Sequence, residues 1–212
     1  MTAKSMRFMT LAAGLSVLVL AGCGQYVREQ GRGPTQVVLL SMEGASGAKP
    51  DEFGGTLNSD VVTLVKQTVN NQEVQVPTIY NDMGRAVMTL ILKDPGQPGV
   101  TTVPTPINQV TFTRYRVSYR RADGRNTPGV DVPYGFDSAA TFTVPAEGNV
   151  TIGFELVRHL AKEEAPLKTL GQSGLLINTI AEVNFFGRDQ AGNEVTATGS
   201  IGIVFGNFGD PQ

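Results

Sequence analysis

"AEVNFFGRDQAGNEVTATGSIGIVF", residues 181–205, carries the clearest structural signal in the 212-residue chain. Ala181, Val183 and Phe185 occupy alternate positions, and the polar or outward-facing residues Glu182 and Asn184 fall between them. Val195, Ala197, Ile201, Ile203 and Phe205 continue the alternation after the break. A period of two places one set of side chains on one face of a strand, so both halves read as half-buried strands. Between them, Gly187 to Asn193 (GRDQAGN) is rich in residues that tolerate positive φ, and the segment is predicted to close as a hairpin.

Working outward, the same chemistry recurs in short runs. Val150, Ile152, Phe154 and Leu156 alternate with Thr151, Gly153 and Glu155, and Ala140–Val144 is a shorter run before them. Val110–Arg121 (VTFTRYRVSYRR) is apolar at Val110 and Phe112 but then at Tyr115, Val117 and Tyr119. That change of parity predicts a β-bulge or a change of partner sheet. Further strands are expected at Val37–Met42, Leu57–Val69, Val74–Val76 and Arg85–Lys93, with a loop over Glu43–Gly55 and a turn at Asn81–Gly84. Only Leu160–Leu170 (LAKEEAPLKTL) has a helical look, and Pro166 restricts it to a turn or two. Eight or nine strands without intervening helices predict an all-β chain, an antiparallel sandwich with at most one short helix. Lys93–Gln109 holds four of the twelve prolines. It reads either as a linker between two small domains or, preferably, as a crossover within one sandwich, because each half alone would be thin.

The terminal hairpin resembles the closing strand pair of bacterial immunoglobulin-like and fibronectin type III-like domains, in its aromatic-rich strand, its D-x-A-G-N turn and its alternating last strand. The resemblance covers about 25 residues and implies an immunoglobulin-like β-sandwich over residues 37–208. Such domains often keep a core tryptophan, and this chain has none.

The amino terminus has a different composition. Lys4 and Arg7 precede a mostly apolar run from Phe8 to Ala21. That run is shorter than the ~20 residues a membrane-spanning helix needs, so the layout is that of a secretory signal. Leu20-Ala21-Gly22-Cys23 resembles the lipobox of bacterial lipoproteins. The resemblance implies a signal peptide over residues 1–22, cleavage before Cys23, and diacylglycerol and N-acyl groups on Cys23. Several acyl chains on one residue give durable membrane attachment, where a single chain gives only marginal binding. Gly24, rather than Asp, follows the cysteine, which by the same resemblance implies outer-membrane delivery in a cell with two membranes. Residues 23–36 then form a lipidated tether.

Cys23 is the only cysteine, so no internal disulfide is available and packing alone must hold the fold. Removing Lys4 and Arg7 from the 17 basic side chains leaves 15 against 19 acidic ones, a balance with no electrostatic reason to bind nucleic acid. His159 is the single histidine and lies on the parity opposite to the apolar face of its strand. With no cysteine cluster and no second histidine, a zinc site is not expected. The acidic Asp123–Asp137 loop lacks the calcium-loop pattern of an EF-hand, and no Gly-x-Ser-x-Gly elbow, Walker loop or dinucleotide fingerprint is present.

The remaining candidates form a surface. Arg114, Arg116, Arg120, Arg121 and Arg125 cluster with Tyr115 and Tyr119 between them and with Asp123 and Asp131 in the adjoining loop, and guanidinium groups interleaved with aromatic rings can recognise anionic sugars or phosphates. The plainer account is a strand with its tyrosines inward and its arginines on the wet face. The expectation is therefore a non-enzymatic envelope protein without a cofactor beyond the lipid, held to the membrane and binding a protein or glycan partner through sandwich loops. The alternative is a solute-binding lipoprotein or a hydrolase with a site assembled from scattered loop residues.

Overall fold

The computed structural model describes residues 33–94, 96, 99 and 102–209. The expected signal peptide, Cys23 and most of the expected tether lie outside the described residues. The described residues form ten strands: β1 (Thr35–Ala45), β2 (Thr56–Asp60), β3 (Thr63–Val69), β4 (Gln72–Thr78), β5 (Asp82–Leu92), β6 (Val110–Arg120), β7 (Phe136–Val144), β8 (Asn149–Val157), β9 (Ile177–Asp189) and β10 (Glu194–Gly206). Among the described residues, one α-helix, α1 (His159–Glu163), and 3₁₀ turns at Pro106–Asn108 and Leu167–Gln172 accompany the strands. Pro166 separates α1 from the second turn, the interruption its missing N–H predicts.

The strands form an immunoglobulin-like all-β sandwich. A three-stranded sheet, β1-β5-β8, faces a five-stranded sheet, β2-β10-β9-β6-β7, and β3-β4 is a separate ribbon. The 181–205 hairpin is the centre of the larger sheet, with Val183 opposite Gly199 and Phe185 opposite Ala197. At its turn, the Asp189 carboxylate accepts hydrogen bonds from the backbone N–H groups of Ala191 and Asn193 and from the Asn193 side-chain amide. One pair departs from the antiparallel expectation: β2 runs parallel to β10.

β6 shows why the parity of its sequence changes. Its register with both β7 and β9 shifts between Phe112 and Arg114, so Thr113 and Arg114 are both exposed. The bulge keeps Val110 and Phe112 inward before it and Tyr115, Val117 and Tyr119 inward after it. Five rings meet in the core around Phe185, those of Phe112, Tyr115, Phe142, Phe154 and Phe185 itself. The inward tyrosines keep their hydroxyls satisfied across the sandwich. Tyr119 Oη donates to the Leu156 carbonyl at 2.7 Å, and Tyr115 Oη donates to the Glu155 carbonyl at 3.2 Å. Both acceptors lie on β8, an edge strand, so these bonds tie the two sheets together and occupy an otherwise open edge.

Two glycines leave room for side chains that pack over them, Gly84 for its cross-strand partner Phe154 within one sheet and Gly199 for the facing sheet. A Cβ at Gly84 would overlap the Phe154 ring, and one at Gly199 would lie 2.6 Å from Met42 Cε on the facing sheet. Gly199 thus interrupts the alternation of β10 for a packing reason.

Several boundaries differ from the sequence reading. β1 starts at Thr35, inside the expected tether, and runs through Glu43 to Ala45, shortening the loop. Leu57–Val69 is two strands, because Val61 turns into the core and the Thr63 hydroxyl closes a bend on the Asp60 carboxylate at 2.7 Å. Asn81–Gly84 is mostly strand rather than turn, because Asp82 and Gly84 are held inward at the start of β5. β3 and β4 are joined by Asn70 and Asn71, with φ of 52° and 61°, the two-residue geometry that matches strand twist. Strands before and after residues 93–109 contribute to one hydrophobic core, which spans Ala86 and Met88 as well as Val183 and Phe205.

Candidate functional site

The arginine strand lies on the wet face, as its parity predicts, and most of its charge is already engaged. Arg116 reaches both oxygens of Asp137 on neighbouring β7, with Nη2–Oδ2 at 2.9 Å, and Arg114 lies 3.7 Å from the same carboxylate. Asp137 titrates below the usual carboxylate range because Arg116 donates to it. Arg121 and Arg125 share Asp123, at 2.7 and 2.8 Å, and this pushes the Asp123 carboxyl down to about 2, with the Arg125 hydrogen bond as the largest cause. Asp131 caps its own loop by accepting from the Thr127 N–H. Arg120 is exposed and has no carboxylate partner among the described residues. The structure therefore places Arg114 and Arg116 around Asp137 on the sheet and Arg125 with Asp123 in the loop, and leaves Arg120 and Asp131 outside both groups.

Arg114 has a second contact. Its guanidinium stands over the Phe186 ring at 4.4 Å, at the edge of a surface groove of about 520 Å³. Thr111, Thr196, Arg188 and Glu194 also line this groove. A guanidinium placed over an aromatic ring beside threonine side chains offers both apolar and hydrogen-bonding contact to a polar partner.

Sequence reasoning missed a second locality. Lys162, from α1, and Asp82, from the start of β5, form an ion pair at 2.8 Å with both side chains 0% exposed. Asp82 Oδ2 accepts from the Ser59 hydroxyl at 2.6 Å, and Oδ1 accepts from the Gly47 N–H at 2.9 Å. Lys162 also donates to the Asp60 carbonyl at 2.8 Å. Burial pushes the Asp82 carboxyl up despite the neighbouring ammonium. The Asp60 carboxylate in turn accepts from the Phe208 N–H at 3.1 Å. This node thus fixes the 46–54 loop through Gly47 and the carboxyl-terminal segment through Phe208. Between those two segments lies a half-open cleft of about 420 Å³, lined by Ser46, Lys49, Phe53, Asn58, Asp60 and Phe208. Neither partner of the pair could be singled out from sequence. Lys162 sits in the segment that has only a helical look, and Asp82 in what reads as a turn.

His159 is exposed, and its Nδ1 lies 2.9 Å from Asn81 Oδ1. No group of three or more histidine, cysteine or acidic side chains among the described residues is arranged to hold a metal ion. No helix among the described residues is long and apolar enough to cross a membrane. A scan of protein-family models finds no match to this chain, and neither curated proteins nor solved structures return one.

Proposed function

We propose that this chain is a lipid-anchored envelope protein of non-enzymatic type whose sandwich binds a protein or glycan partner. The observation that carries the reading is the Arg114–Phe186 stack at the rim of the groove, beside the Thr196 and Thr111 positions. Cys23 supplies the attachment, and the residue after it, Gly24, is the basis for placing the protein at the outer membrane of a two-membrane cell. The arginine surface around Asp123 extends the polar contact area. Because its guanidinium groups are already carboxylate-bound, it favours a partner that brings hydrogen-bonding groups of both kinds rather than a simple polyanion.

A second reading, a solute-binding lipoprotein, is favoured by the size of the cleft beside Asn58, which falls in the ~300–1,000 Å³ range of small-molecule sites. One experiment separates the two. A photo-crosslinking residue is placed at Thr196 or at Asn58 in cells making the full chain. The proposal expects a discrete protein or glycan adduct from Thr196. An adduct only with a small molecule at Asn58, and none from Thr196, overturns it.

A further inference from the structure

We propose that Lys162 and Asp82 condense to an intramolecular amide, so that the mature chain carries a covalent crosslink between α1 and β5. The nucleophile and electrophile are already placed. Lys162 Nζ lies 2.8 Å from Asp82 Oδ1, and neither side chain is reached by solvent. Holding reactants at this range in a water-excluded site replaces the encounter step and removes competing water.

The step balances without a co-reactant. The ammonium of Lys162 passes one proton to the Asp82 carboxylate, leaving a neutral amine beside a neutral carboxyl group. The Nζ lone pair then bonds to Cγ, and the Cγ–Oδ2 bond breaks. Oδ2 departs as water with the transferred proton and a second proton from Nζ, and nothing is oxidised or reduced. The Ser59 hydroxyl, 2.6 Å from Oδ2, is placed to donate to the departing oxygen. The Gly47 N–H, 2.9 Å from Oδ1, stabilises charge developing on the oxygen that stays. The Asp60 carbonyl holds the amine at 2.8 Å.

The product fits the site better than the ion pair does. Two charges held away from water are replaced by a neutral group, which removes a large desolvation cost. The one remaining N–H donates to the Asp60 carbonyl, and Oδ1 keeps its bond from Gly47. Burial raises the proton affinity of Asp82, which favours the neutral carboxyl form that the step requires. The crosslink would span a separation of 80 residues in a chain with no cysteine pair to serve the same purpose.

The test is peptide mapping of the full-length chain isolated from membranes, denatured and digested with trypsin. The proposal expects residues 67–85 joined to residues 159–168, one water lighter than the two peptides together, with cleavage after Lys162 lost. In the Lys162→Arg chain the linear 67–85 peptide returns. Linear 67–85 predominating over the branched species in the wild-type digest overturns the proposal. So does a missing water that maps to Asp123-Gly124 rather than to Asp82. An ion pair leaves no branched peptide after denaturation, so a purely structural role gives the negative result.

Discussion

Phe185→Ala and Phe186→Ala, neighbours on β9, are expected to differ sharply in cost. Phe185 is 0% exposed, and its ring lies 5.3–6.4 Å from those of Phe154, Phe142, Tyr115 and Phe112. Truncating a buried phenylalanine costs about 3–5 kcal/mol, through lost transfer energy and the cavity left behind. The four ring contacts place this site toward the upper half of that range, since edge-to-face pairs contribute beyond area alone. Phe186 faces the opposite way and is only partly buried, with Arg114 over its ring at 4.4 Å. Removing such an exposed cation–π contact costs about 0.5–1 kcal/mol. With a urea m-value of about 2–3 kcal/mol/M for a chain of this size, a 4 kcal/mol loss shifts the midpoint by about 1.3–2 M. The Phe186 change shifts it by less than about 0.5 M on the same basis. Urea titration followed by intrinsic tyrosine fluorescence and far-UV circular dichroism measures both. Equal shifts, or a larger one for Phe186, would refute the assignment of faces in the terminal hairpin.

Other consequences follow from the same geometry. Gly84→Ala forces a methyl group into the Phe154 ring, an overpacking cost of about 2–3 kcal/mol, and calorimetry should show Tm lowered by about 5–10 °C. Asp123 should titrate near pH 2 in a carboxyl-detected NMR experiment, against an ordinary value of ~3.9. Because its folded value is depressed, its contribution to stability is present above the ordinary value and is lost as the pH falls toward 2. Arg125→Ala should move the titration upward, and added salt should do so partly.

The fold was legible where one face of a strand is buried and the other wet. The 181–205 hairpin and the bulge in Val110–Arg121 follow directly from parity, because burial of one face leaves only one register available. Legibility failed where a polar residue is turned inward by a distant partner. Asp82 reads as a turn residue until Lys162, Ser59 and Gly47 are brought to it, and those contacts are separated by 23 to 80 positions in the chain. The wet face of β6 was placed correctly, but its ion pairs were not. Pairing Arg116 with Asp137 depends on the register of β6 against β7, which sequence alone does not give. The parallel run of β2 beside β10 is likewise a consequence of topology rather than of any local pattern.

The proposed anchoring rests on Cys23, and metabolic labelling with a palmitate analogue tests it most directly. Cells producing the wild-type chain should incorporate the label into this protein and carry it in the membrane fraction, while Cys23→Ser should lose the label and leave the membrane. Unchanged labelling and membrane retention in the Cys23→Ser chain would contradict the account.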